Sequence, residues 1–189
     1  MLPIVTAARA ALFHRNWYAA LTVALTLPDI ASGLETDDGR TSGRSYGAWF
    51  DRWLPIYSQP EERAGRIRAP FLTGADCSAL RCAFLHNGID DIEQQRARET
   101  LKRFIFLAPN AGRSFHLMRF EKIFLQLDVS RFVEDICVAV ENWRPDFFRQ
   151  RSEKAAAREA NLIVIYDSST VRSMSVDADG TFHIEAKPV

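Results

Sequence analysis

Residues 73–88 read TGADCSALRCAFLHNG, a stretch that defines a helix at both ends. Thr73 stands where an N-cap oxygen is needed, and Asp76, three residues on, fits the acidic half of a capping box. Asn87-Gly88 supplies the stop, because a left-handed residue suits the first position past a helix. At about 100° per residue, Cys77, Leu80 and Phe84 form one apolar stripe, with Arg81 and Leu85 on its flank. The opposite face carries Ala75, Ala79, Cys82, Ala83 and His86, residues small enough for another helix to approach closely. The expectation is a helix buried on two sides, between its own core and a second subunit. Arg81 beside the core stripe needs an anion, because an unpaired buried charge is costly.

Upstream, the pattern is helical. Leu2 to Arg15 forms a short helix with Pro3 in its first turn, and Asn16 caps a second that carries Trp17, Leu21, Leu25 and Leu27. Pro28 should kink or end it, and Gly33 with TDDGRTSG reads as a mobile loop. A third helix spans about Tyr46 to Leu54. Pro55 to Pro70 contains three prolines and reads as a loop. A polar helix is expected from about Asp91 to Arg103.

Then the period changes. Phe104–Leu107, Phe115–Phe120 and Ile123–Leu127 are aromatic and β-branched and predict a small antiparallel meander. Ser130 opens an amphipathic helix with Phe132, Val133, Ile136, Cys137, Val140 and Trp143 at helical spacing, closed by Pro145. A charged helix from about Asp146 to Ala160, a strand at Asn161–Asp167 and a hairpin over Arg172–Ala186 complete the chain. The fold class expected is α+β in one domain over residues 1–189. Its helical core spans about 1–104 and 130–160, the meander about 104–128, and the C-terminal strand and hairpin about 161–186.

Composition sets the bounds. A chain of 189 residues suits one core better than two. With 24 acidic and 24 basic residues the net charge is zero, so any polyanion site must be local. Twenty of those bases are Arg, the side chain that forks onto phosphate and carboxylate. Cys77, Cys82 and Cys137 form no paired framework, which fits a reducing compartment. The uncharged run from Asn16 is cut at Pro28-Asp29, too short to span a bilayer. A cytoplasmic protein that engages no membrane is therefore expected.

The sequence contains no phosphate-binding loop, no dinucleotide fingerprint and no nucleophile elbow, and no cluster with metal-ligand spacing. Neither a cofactor nor a metal is expected. What remains is Arg81-x4-His86. A histidine titrating near neutrality can take the proton from a ribose 2′-OH or protonate a leaving 5′-oxygen. A guanidinium can stabilise the charge that develops on the phosphoryl oxygens. One chain brings one such histidine, and two copies across a two-fold axis would bring an acid and a base. The motif is statistically cheap, however: Arg9-x4-His14 matches equally well. The alternative is a structural pair of Arg81 with Asp29, Asp51 or Asp76, with His86 at the helix C-terminus, where a cation is favoured. Arg96, Arg98, Lys102 and Arg103 suggest a phosphate-facing stripe, against which the interleaved Glu93 and Glu99 suggest a solvated, internally paired helix. The four tryptophans read as core, His14 reads as structural, and His116 and His183, in expected strands, show no partner.

The helix with Asn87-Gly88 directly after its R-x4-H resembles the signature of the HEPN superfamily. The blocks at residues 16–35, 46–54 and 71–88 also resemble a bacterial family of small proteins. The broader resemblance covers about residues 1–104 and 130–143. It implies a helical bundle that dimerises, here decorated by a small antiparallel sheet. It also implies a metal-independent endoribonuclease of the kind found in phage defence and toxin–antitoxin systems. Arg81 and His86 would then be the catalytic pair, with Asn87, Arg96, Arg98 and Lys102 placed to hold RNA, and the homodimer would form through this helix. The chain departs from the family pattern at Cys82, often polar there, and at Gly88, a tyrosine in some branches. Inactive members exist, so a non-catalytic module binding RNA, nucleotide or a protein partner is the alternative. A structural subunit of a larger assembly is a third.

Overall fold

A computed structural model of the chain describes residues 1–63, 66–93, 95, 101–109, 115–121, 123–150, 152–178 and 182–188. At 61–63, 66–68, 152, 154–155 and 182 only the backbone is described. The helices are α1 (Leu2–Phe13), α2 (Trp17–Glu35), α3 (Gly43–Trp53), α4 (Pro55–Ser58), α5 (Gly74–Cys82), α6 (Val129–Gln150) and α7 (Ser152–Ala160). The strands are β1 (Glu61–Arg63), β2 (Arg66–Arg68), β3 (Arg103–Leu107), β4 (Met118–Phe120), β5 (Phe124–Asp128), β6 (Ser173–Val176) and β7 (Phe182–Glu185). The fold is thus mixed α+β. No helix among the described residues is long and apolar enough to cross a membrane.

The core lies where α2, α3, α5 and α6 meet. Tyr46, Trp49 and Phe50 of α3 are buried with Leu25 and Leu27 of α2, Leu80 of α5, and Phe132, Ile136 and Trp143 of α6. Large rings dominate it, each contributing roughly 1.5–3 kcal/mol when fully buried. Local chemistry starts the helices. Asn16 accepts from the Ala19 N–H at 3.2 Å, and Ser42 and Ser45 form a reciprocal capping box for α3. Asp128 Oδ1 accepts from the N–H groups of Ser130 and Arg131 and so opens α6. Thr73 caps α5 through the Asp76 N–H at 3.1 Å. The Asp76 carboxylate does not complete the expected box. It is fully buried and accepts from the Leu101 N–H instead.

Prolines were weaker stops than expected. α2 runs seven residues past Pro28 and α6 five past Pro145. In both cases the apolar face continues beyond the ring, at Ala31 and Leu34 and at Phe147, and this burial offsets one lost backbone hydrogen bond. Gly33 therefore lies inside α2, where an added Cβ would come within 3.2 Å of the Gly39 carbonyl oxygen. Pro55–Pro70 holds α4 and the β1–β2 hairpin, not a bare loop.

The polar helix expected over Asp91–Arg103 is not formed by its described ends. Asp91 bridges Arg103 antiparallel, and the Ile92 N–H donates to the Lys102 carbonyl at 2.8 Å. A helix of that length would hold its ends about 18 Å apart. The sheet differs too. Its order is β3-β5-β4, with β3 parallel to β5 and β4 antiparallel to it, so it is mixed and not an antiparallel meander. β5 occupies the centre because Leu125 and Leu127 are fully buried. The strand expected at Asn161–Asp167 reduces to a single bridge, Tyr166 to Pro188. The β6–β7 hairpin forms as read.

Candidate functional site

α5 does not end as an α-helix. Ala83–Asn87 widen into a π-helical turn, and Gly88 closes it at φ 66°, the left-handed conformation that glycine adopts freely. Five residues apart in an α-helix, Arg81 and His86 would point roughly 140° apart. A turn closed by bonds over five residues brings the later side chain round toward the earlier one, and such bulges recur at functional sites.

Arg81 lies on the last turn of α5, against Asp29 in the second half of α2. The two form an ion pair with side chains 26% and 14% exposed. Burial pushes the Asp29 carboxyl up from its ordinary range, while the charge of Arg81, a hydrogen bond to Thr41 and the charge of His86 pull it back. Burial pulls Arg81 down, but its contact with the Cys82 thiol and the attraction of Asp29 outweigh that. Asp29 thus feels both members of the motif. The guanidinium is not fully satisfied, since Arg81 Nε is buried without an acceptor among the described residues. Behind Asp29 the polar chain continues, with Ser32 Oγ 2.8 Å from Thr41 Oγ1. His86 and Asn87 are exposed. The site is therefore neither an open cleft nor a sealed pair: Arg81 is paired with Asp and partly buried, while His86 faces solvent.

The other candidates scatter. Lys102 pairs with Glu93 at 2.6 Å, and Arg103 with Asp90 and Asp91, as an internally paired segment requires. Arg96, Arg98 and Glu99 lie outside the described residues. Asp51 accepts from the Gly74 N–H at 2.7 Å and so ties α5 to α3. In the second R-x4-H, Arg9 bonds both Glu134 and Glu141 of α6, so that each of its three guanidinium nitrogens meets a carboxylate, and His14 is exposed at the end of α1. That copy is a helix-to-helix clasp.

The small-residue face of α5 is covered in part from within the chain: Ala79 and Ala83 are fully buried, while Ala75 and Cys82 are half-buried and His86 is exposed. Gly43 and Gly47 of α3 approach α5 so closely that a Cβ on Gly74 would meet the Gly47 carbonyl oxygen at 2.1 Å. Ser78, Ala79 and Ala83 are buried without any second subunit. The alanine face therefore gives no argument for a dimer.

One polar cluster went unseen in the sequence. The Tyr57 hydroxyl donates to Asp135 at 2.6 Å and lies 3.0 Å from His116 Nε2. The Asp128 N–H donates to His116 Nδ1 at 3.2 Å. Nδ1 is thus an acceptor, which places the proton of neutral His116 on Nε2. Burial pushes the His116 pKa down, against the pull of Asp135 and Asp128. Leu117, next in the chain, has φ 56°, a conformation costly for a branched side chain. Tyr57 lies 59 residues from His116 and 78 from Asp135, so no local spacing could reveal them. Among the described residues no three His, Cys, Asp or Glu side chains gather to hold a metal ion. The three cysteines are unpaired, and burial pushes the Cys77 and Cys137 thiols up to about 12.

Set against known proteins, the chain matches no family model, no curated protein and no solved structure.

Proposed function

We propose that the chain is a metal-independent endoribonuclease of HEPN-like design, acting in phage defence or a toxin–antitoxin pair, with Arg81 and His86 as its reacting pair. The observation that supports this reading is an Arg81 held by Asp29 on the last turn of α5, with His86 exposed on the π turn that follows. Asp29 orients the guanidinium through the ion pair that holds it. In the reaction a base removes the ribose 2′-OH proton, and the 2′-oxygen forms a bond to phosphorus. The bond from phosphorus to the 5′-oxygen breaks, and that oxygen takes a proton. Arg81 offsets the charge on the phosphoryl oxygens. A homodimer would present one His86 as base and another as acid. The products are a 2′,3′-cyclic phosphate and a 5′-hydroxyl. Cleavage of RNA in chelator, lost in Arg81→Ala and His86→Ala, tests it.

A second reading has its own observation. The Arg81 charge is already met by Asp29, which favours a non-catalytic module that binds RNA, nucleotide or a protein partner. That reading predicts RNA retained without cleavage, and a His86→Ala variant that behaves as the parent does.

A further inference from the structure

A cavity of about 380 Å³ lies between the C-terminal end of α2, the α3 helix and the second half of α6, within the range of small-molecule sites. Three of the four tryptophans, Trp49, Trp53 and Trp143, line it together with Phe147. Such a set suggests an aromatic cage for a cation, yet the rings are largely used by one another. Trp143 stacks on Phe147 at 4.8 Å and meets Trp49 at 6.3 Å and 70°, while the Arg52 guanidinium lies 5.1 Å over Trp53.

The wall contributed by α3 presents donors without acceptors. The Trp49 and Trp53 indole N–H groups are buried without a partner among the described residues. Arg52, exposed at the rim, has the Trp53 ring as its only described partner. A buried donor left unmet costs about 1–3 kcal/mol, so an oxyanion here would be welcome. The walls from α2 and α6 have the opposite character. Glu35 accepts from the Trp143 N–H at 2.7 Å, and Asp146 pairs with Arg149 at 2.9 Å. A carboxylate can accept about four hydrogen bonds, so either group suits a further donor. A simple cation would leave the α3 donors unmet and face Arg52. A simple anion would face Glu35 and Asp146.

We propose that this cavity binds a small amphoteric ligand. Its flat apolar body lies against the tryptophans, its oxyanion turns to Arg52, and its ammonium or amino group turns to Glu35 and Asp146. Two sources carry that chemistry, an aromatic α-amino acid and a nucleoside monophosphate. The site stands independently of the ribonuclease reading.

Isothermal titration of the whole chain with L-phenylalanine and, separately, with CMP and AMP distinguishes them. One series should saturate at one ligand per chain. Within that series, removing one end should weaken binding at least about tenfold, as expected for a lost charge-assisted hydrogen bond. The stripped analogues are phenylalanine amide and 3-phenylpropionate for the amino acid, and cytidine or adenosine for the nucleotides. Arg52→Ala and Glu35→Gln should each weaken it similarly, and Glu35→Gln keeps an acceptor for Trp143. Thermal melts of both variants report that they fold. His86→Ala should bind as the parent does, which separates this site from the proposed nuclease. Failure of both series to saturate at millimolar concentration would overturn the proposal. So would stripped analogues or folded Arg52→Ala and Glu35→Gln variants that bind undiminished.

Discussion

Replacing Asp29 with Asn keeps its volume and removes the charge that holds Arg81. The cost is bounded by two limits. Exposed ion pairs contribute at most about 1 kcal/mol, whereas removing one partner of a fully buried pair costs about 3–5 kcal/mol. With side chains 14% and 26% exposed, this pair lies between them, and about 2 kcal/mol is expected. A chain of this size shifts its melting temperature by about 2–4 °C per kcal/mol, so Asp29→Asn should lower it by about 4–8 °C. Arg81→Met alone should also destabilise, because it leaves the Asp29 carboxylate buried without its cation. The double variant should be less damaged than the sum of the singles, with a coupling of about 1–2 kcal/mol in a double-mutant cycle. Urea unfolding monitored by circular dichroism measures all four corners. Stability of Asp29→Asn within about 0.5 kcal/mol of the parent, or strict additivity, would refute the pairing and with it the view of Asp29 as the residue orienting the motif.

Other outcomes follow from the same contacts. His116 has a lowered pKa in the fold, so the unfolded chain takes up its proton first as pH falls. Stability should therefore be complete above about pH 6.5 and decline below it, by up to about 1.4 kcal/mol per pH unit until the folded value is reached. Comparing urea unfolding at neutral and mildly acid pH, His116→Gln should show a shallower decline than the parent. Gly74→Ala should cost about 2–3 kcal/mol by urea unfolding, since its Cβ meets the Gly47 backbone and no flexible side chain. Gly88→Ala, where nothing crowds the added carbon but φ is 66°, should cost only about 1 kcal/mol in the same assay. Arg9→Ala should destabilise by freeing Glu134 and Glu141, and His14→Ala should leave any RNA cleavage unchanged in a gel assay.

Helix existence was legible in the sequence wherever a cap and an apolar stripe agreed, as at Asn16, Thr73 and Phe132–Trp143. Boundaries failed where tertiary burial overrode a local breaker, at Pro28 and Pro145. The sheet was legible as strands but not as pairing. Residues β-branched and aromatic at Phe104–Leu107 mark a strand, but whether it meets its neighbour or the next strand but one depends on the buried Leu125 and Leu127 of β5. Of the site, Arg81 and its need for an anion could be read from helical geometry. Asp29 could be named as one partner among three, but selecting it required the α2–α5 contact. The π turn left no signal in residue type, and the alanine face misled because Ala79 and Ala83 are already buried within the chain itself. The contrast between Arg9 and Arg81 is instructive in the same way. Identical spacing yields a guanidinium whose three nitrogens all meet glutamates in one helix and a partly satisfied one in the other, each followed by an exposed histidine.

The most direct test of the nuclease account is incubation of RNA with wild type, Arg81→Ala and His86→Ala in excess EDTA, with product ends analysed and each variant's fold checked by circular dichroism. The account predicts cleavage by wild type that leaves 2′,3′-cyclic phosphate ends and is abolished in both folded variants. Intact RNA with wild type, or undiminished cleavage by His86→Ala, would contradict it.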